Sequence, residues 1–183
     1  WASPGIWISS SAILSFMDFN LKLKKLLYTG DNLSKYLKAP ISNGQLLLAL
    51  LVFSVFIGLI QFIISIIITT SLYNDNLNFV QLLLISINVI SILIFYSILG
   101  LLFAIYAKDD FFSMFIFVIM FVMLFFSLGT LVPIEYSYNK FLILIRNLPI
   151  HEVVLNVQSL YAGKTIAISP IVLTNIINFI IFL

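Results

Sequence analysis

The sequence predicts an all-α protein, a single polytopic transmembrane domain spanning residues 1–183 with about five crossings. Three observations carry that expectation. The chain is 62% hydrophobic and 9% charged, with a mean hydropathy of +1.20; so little polar surface cannot clothe a soluble core, and lipid is the solvent such a composition needs. Apolar runs recur along the whole length, whereas a cleaved signal peptide accounts for only one short run at the start. The basic residues are unevenly placed: Lys22, Lys24, Lys25, Lys35 and Lys38, between Asn20 and Gly44, are five of nine. Lysines and arginines flanking crossings stay on the cytoplasmic side, which puts that stretch inside the cell. All crossings are expected to be helical, because an open strand edge cannot satisfy its backbone in hydrocarbon.

The first crossing is expected over about 1–19. Pro4 and Gly5 open it, and Trp-Ala-Ser-Pro-Gly-Ile reads as the entry to an apolar segment already under way, so further residues are expected upstream. Ser9, Ser10 and Ser11 suit helix packing, with a place on a transport path for Ser10 and Ser11 as the other reading. Asp18 sits at the inner end, where a carboxylate meets headgroups, water or a lysine. The cytoplasmic loop then covers 20–44. Within it Asp31 can cap a short helix running to Lys38, acid first and lysine last, before Ala39 and Pro40 stop it. A solvated, positively charged tether is the plainer interpretation of the same residues.

The second crossing covers about 46–72, long enough to tilt, and the lysine-free turn Tyr73 to Asn78 fits the opposite face. The third returns over about 80–107 and ends at Lys108-Asp109-Asp110. The fourth, about 111–132, is dense in Phe and Met, and the last is expected over about 166–183. Between them, 133–164 is too long for a turn and too apolar for an ordinary loop. Pro133 and Pro149 punctuate it, so either two short helices dip back into the outer leaflet or an amphipathic segment lies on its surface. Six basic residues fall inside by this assignment, and Lys140, Arg146 and Lys164 fall outside.

Chemistry-bearing motifs are scarce. The chain has no cysteine, which removes disulfides, thiolate metal sites and a cysteine nucleophile, and it has one histidine, His151. There is no glycine-rich phosphate loop, no paired histidine motif and no nucleophile elbow, and Asp109-Asp110 lacks the further acids a divalent metal needs. No metal, no bound cofactor and no catalytic residue is therefore expected on this chain. A net charge of +2 gives no nucleic-acid surface. Gln61, Asn88, Asn175 and Asn178 lie within apolar runs, where such residues join helices by hydrogen bonds or line a substrate pathway.

The order of parts says more than any single residue. Pro4-Gly5-Ile6 opens a helix; a basic loop ends in Tyr36-Leu37-Lys38-Ala39-Pro40-Ile41-Ser42; a long hairpin follows; then come Leu128-Gly129 to Pro133, an apolar stretch, Leu148-Pro149 and a last crossing. This order resembles the membrane subunit of ABC-2 type exporters along essentially the whole chain. Where that family often has an acidic residue before the double leucine, this chain has Ser34. The resemblance implies a sixth crossing upstream and a multi-pass location in a bacterial-type inner (plasma) membrane. It implies a dimer of this chain coupled to two ATP-binding cassette subunits, which would hold ATP and Mg. Asp31, Leu33, Lys35, Tyr36, Leu37, Lys38 and Pro40 would form the coupling helix and its stop, and Gly129, Pro133 and Pro149 would shape the re-entrant region. Two other functions remain open at this point: a secondary carrier, which commonly carries internal repeats, and a membrane-embedded enzyme acting on lipid, which needs clustered acids or histidines at one face.

Overall fold

A computed structural model of the protein describes residues 2–28, 42–73, 77–106, 110–122, 149–164 and 169–182. Those residues form six α-helices and no strand: α1 (Ala2–Tyr28), α2 (Asn43–Tyr73), α3 (Phe79–Tyr106), α4 (Asp110–Val122), α5 (Pro149–Tyr161) and α6 (Ser169–Phe182).

The helix starts are written locally. Ahead of α2, the Ser42 hydroxyl accepts from the Gln45 backbone N–H (3.3 Å) while Gln45 Oε1 accepts from the Ser42 N–H (3.0 Å), a reciprocal cap that satisfies two donors. Ahead of α3, Gln81 Oε1 accepts from the Asn78 N–H at 3.0 Å in the same register. Helix α5 begins at Pro149, whose missing N–H costs nothing in a first turn. It ends at Tyr161 and is capped beyond by Gly163, with φ 73°, where the Gly163 N–H reaches Leu160 O (3.0 Å) and the Lys164 N–H reaches Ser159 O (2.8 Å). That pair of bonds needs a left-handed residue, which glycine supplies without strain.

Helices α2 and α3 are long and apolar enough to cross a bilayer. The other expected crossings do not meet that standard within the described residues. Helix α1 has the length, but its second half carries Asp18, Lys22, Lys24 and Lys25. Helix α4 has 13 described residues and α6 has 14. The helix expected to stop near Phe19 continues to Tyr28, so the first part of the expected loop is helix. The reason is visible in the side chains. Phe19, Leu23 and Leu26 keep the buried stripe going, while Lys22 pairs with Asp18 one turn back (2.7 Å).

Helix α1 packs against both α2 and α3. Its contacts with α2 pair Trp7 with Thr69, Ser10 with Ser65 and Asp18 with Ser54, an antiparallel sequence; those with α3 pair Ser15 with Ser97 and Asn20 with Gly100, a parallel one. Glycines set the spacing. A Cβ on Gly100 would lie 2.7 Å from the carbonyl oxygen of Phe16, and one on Gly58 would lie 3.1 Å from that of Ser11 and 2.9 Å from Leu93. Backbones this close gain dispersion contacts that larger residues would forbid. Helix α5 lies against α3, α6 and α1, with Ile150, Val153, Val154, Val157 and Leu160 buried in the same core as Trp7, Phe62, Ile85, Val89 and Ile92. The exterior is the reverse. Val52, Phe53, Phe56, Ile60, Ile63, Ile64, Ile67 and Ile68 of α2 are all exposed, as are Val172, Leu173, Ile176, Phe179 and Ile180 of α6.

Candidate functional site

Among the described residues, two interhelical surfaces carry interhelical polar contacts, and α5 buries His151, Asn156 and Gln158 besides. On α1, Ser11, Ser15, Asp18 and Lys22 recur at i, i+4, i+7 and i+11; on α2, Ser54, Gly58, Gln61, Ser65 and Thr69 recur at i, i+4, i+7, i+11 and i+15. Each spacing makes one stripe along a 3.6-residue helix, and the two stripes meet. At one end the buried Trp7 indole N–H donates to Thr69 Oγ1 at 2.6 Å, and Thr69 Oγ1 in turn donates back to Ser65 O (2.9 Å) and Ile66 O (3.1 Å). A buried indole donor needs such a partner. Tyr161 of α5 meets the Trp7 ring edge-on, with centroids 5.4 Å apart. One turn on, the Ser10 and Ser65 hydroxyls lie 3.2 Å apart. At the other end Asp18 Oδ2 accepts from both Lys22 Nζ (2.7 Å) and the Ser54 hydroxyl (2.8 Å). The Lys22 ammonium also stands 3.5 Å from the centre of the Phe53 ring. A carboxylate, an ammonium and an aromatic face thus tie α1 to α2 where the basic segment begins.

The second surface joins α3 to α6. Asn175 Nδ2 donates to Ser91 Oγ at 3.1 Å, and Asn178 Nδ2 donates to the Ser91 carbonyl at 3.2 Å. Asn88, one turn from Ser91 and fully buried, donates to Leu84 O of its own helix at 2.8 Å. Thr174, one turn from Asn178, is buried as well.

The residues singled out from the sequence separate on this frame. Ser10 bridges α1 and α2, whereas the Ser11 hydroxyl turns back to Trp7 O (2.6 Å) and Ile8 O (3.1 Å). Gln61 is half-buried within the α2 stripe that meets α1, whereas Asn88 is buried on α3, so the two are on different helices. Pro149 starts α5. Asp31, Leu33, Lys35, Tyr36, Leu37, Lys38, Pro40, Gly129 and Pro133 lie outside the described residues. Sequence reading missed the Trp7 to Thr69 pair, the Ser54 partner of Asp18 and the Ser15 to Ser97 pair (2.6 Å). The four-and-seven spacing of small and polar residues was the signal that could have found them.

Chemically, the surfaces offer hydroxyls, amides and one ion pair. Among the described residues no group of three His, Cys, Asp or Glu side chains could hold a metal ion. A groove of about 220 Å³ between α2 and α3 is lined by Leu51, Val52, Val55, Phe56, Leu59 and Ile94, which can solvate hydrocarbon and nothing polar. No family model, no curated protein and no solved structure matches the chain.

Proposed function

We propose that this chain is a multi-pass integral membrane protein of the inner-membrane type and the transmembrane subunit of an ATP-driven exporter, working as a dimer with separate ATP-binding cassette subunits. The observation that carries the proposal is the order of parts around α1. A helix with a polar stripe leads through Lys22, Lys24 and Lys25 directly toward Asp31 to Pro40, and the long apolar helices α2 and α3 follow. Apolar side chains on the outside with hydroxyls and amides on the inside favour lipid as the surrounding medium. The absence of a phosphate-binding loop from the sequence means that ATP must be bound by a partner. Asp31 to Lys38 would rest on that partner and pass its closure to α1 and α2, since a short rigid helix between two long ones transmits a push.

The test is native purification of the full-length subunit, with co-purifying proteins identified by mass spectrometry. A soluble ATPase carrying a glycine-rich phosphate loop is the expected companion. Replacing Tyr36 and Leu37 together by Asp should release it, or uncouple its ATP hydrolysis from transport, because an unpaired carboxylate buried at a packed contact costs several kcal/mol. Membrane insertion should be unchanged. Transport that proceeds without any ATPase would turn the reading to a secondary carrier, and catalysis on lipid by the chain alone would turn it to an enzyme.

A further inference from the structure

Ser9 Oγ is left over on α1, but three leftover oxygens fall on α3 and α6, and that group points to a ligand. At the α3, α5 and α6 junction, Asn88 Oδ1, Asn178 Oδ1 and Thr174 Oγ1 are buried without a hydrogen-bond partner among the described residues. Exchanging oxygen for nitrogen in the amides does not remove the problem. Asn88 Nδ2 serves Leu84 O and Asn178 Nδ2 serves Ser91 O, and a carbonyl accepts only from a donor, so both amide oxygens are fixed as acceptors.

The register brings the three oxygens toward one place. Asn178 on Ser91, and Phe182 in the cluster with Leu101 and Ala104, show that α3 and α6 run in the same direction. Asn88 is therefore level with Thr174, one turn from the layer of Ser91 and Asn178. At about 100° per residue, Asn88 is rotated from Ser91 toward the side on which Gln81 meets α5, where its Nε2 lies 3.4 Å from Leu160 O. On the parallel helix α6, Thr174 is rotated from Asn178 in the opposite sense to Asn175. The buried Thr174 and the exposed Asn175 thus flank the contact, with Thr174 on the side of Asn88 and α5.

We propose that Asn88, Thr174 and Asn178 hold an internal water molecule that bridges α3 to α6 beneath α5. Its two protons satisfy the two amide oxygens, and its oxygen accepts the Thr174 hydroxyl. Buried waters typically make about three hydrogen bonds to groups left over by the fold, which is the number offered here. An alkali cation fits less well. All three ligands are neutral, and an ion buried without a counter-charge carries a penalty of several kcal/mol even after relaxation. The assignment rests on the hydrogen-bond pattern and is independent of the transport function proposed above.

Water-edited solid-state NMR on the asparagine-¹⁵N-labelled full chain in phosphatidylcholine vesicles tests it. Magnetisation from water should reach the Asn88 and Asn178 side-chain amides about as fast as it reaches that of the exposed Asn43 at the start of α2. Thr174→Val should slow both severalfold, Thr174→Ser should restore them, and an unshifted Trp7 emission should show that the fold is kept. Infrared spectra of the unmodified protein in H₂¹⁸O give a second readout that needs no variant: an isolated-water O–H band that moves with the isotope. Buried amides in the unmodified protein that receive water magnetisation no faster than the core methyl groups would overturn the proposal. So would transfer insensitive to Thr174→Val, the lack of an isotope-shifted band, or a signal that vanishes when sodium and potassium are replaced by a bulky organic cation.

Discussion

The contact of α1 with α2 and α3 and the junction of α3, α5 and α6 solve the same problem in different ways. Both bury polar side chains in surroundings that are otherwise Ile, Leu, Val and Phe. In the first, interhelical partners come from the protein for most groups: Thr69 for the Trp7 indole, Ser97 for Ser15, Gly100 O for Asn20 and Asp18 for Ser54, with Ser9 Oγ alone left over on α1. In the second, Ser91 serves two asparagines and three oxygens are left over. Gly58 and Gly100 let α1 approach until short side chains reach across, and the described part of the second junction has no glycine at its contacts. A seam closed by short hydroxyls resists rearrangement, whereas one that leaves acceptors over takes a bridging molecule.

Four single substitutions and one double-mutant cycle would break or sharpen this contrast. The largest effect is expected from Gly100→Val, because even a Cβ meets the Phe16 carbonyl at 2.7 Å and the backbone of α1 cannot step aside without losing its other partners. Overpacking of this kind costs about 1–3 kcal/mol or more. Denaturant unfolding in detergent, followed through Trp7, should show it, and a midpoint shift under about 0.5 kcal/mol would contradict the close approach. Next is Asp18→Ala, which strips Lys22 and Ser54 of their shared acceptor. A loss of about 1–2 kcal/mol is expected, the range for hydrogen bonds to a charged group moderated by partial exposure. Ser54→Ala made on the Asp18→Ala background should then add little, which a double-mutant cycle would reveal.

Thr69→Val comes third. It leaves the Trp7 indole N–H buried without its acceptor, at a cost of about 1 kcal/mol and, on a Trp1→Phe background that leaves Trp7 as the one tryptophan, with a blue-shifted emission. Unchanged emission would mean that the indole finds another acceptor. The smallest effect belongs to Asn175→Ala, at the exposed edge of the second junction, where an interhelical hydrogen bond in such surroundings averages about 0.6 kcal/mol. A loss larger than that of Thr69→Val would reverse the ranking of the two surfaces.

Exposure separates α2 from α3 in the same way. Both pass the test of length and apolarity, yet 50% of the most apolar stretch of α3 is buried and only 22% of that of α2. Their sequences are nearly interchangeable in hydrophobicity, so composition alone cannot tell a central helix from a peripheral one. In the chain that α1, α5 and α6 surround, Asn88, Ser91, Tyr96 and Ser97 all find enclosed positions; in α2 only the stripe from Ser54 to Thr69 does.

The sequence by itself determined the helical class, since continuous apolar runs leave a helix as the one local solution in hydrocarbon; the caps at Ser42 and Gln45 and at Asn78 and Gln81 that start the two long helices came to light only in the structure. The sequence also located the polar residues that stand out in apolar runs. The end of α1 escaped it, because Lys22, Lys24 and Lys25 read as a loop by charge, although lysine is a good helix former and Phe19, Leu23 and Leu26 continue the buried stripe beneath them. Only the tertiary structure decided which polar residues pair, that Asp18 serves α2 as well as Lys22, and that Asn88, Thr174 and Asn178 are buried with an oxygen left over. Pairing depends on the rotation and separation of helices, and those are set by glycine contacts between segments up to about eighty residues apart, a distance over which no local periodicity carries information.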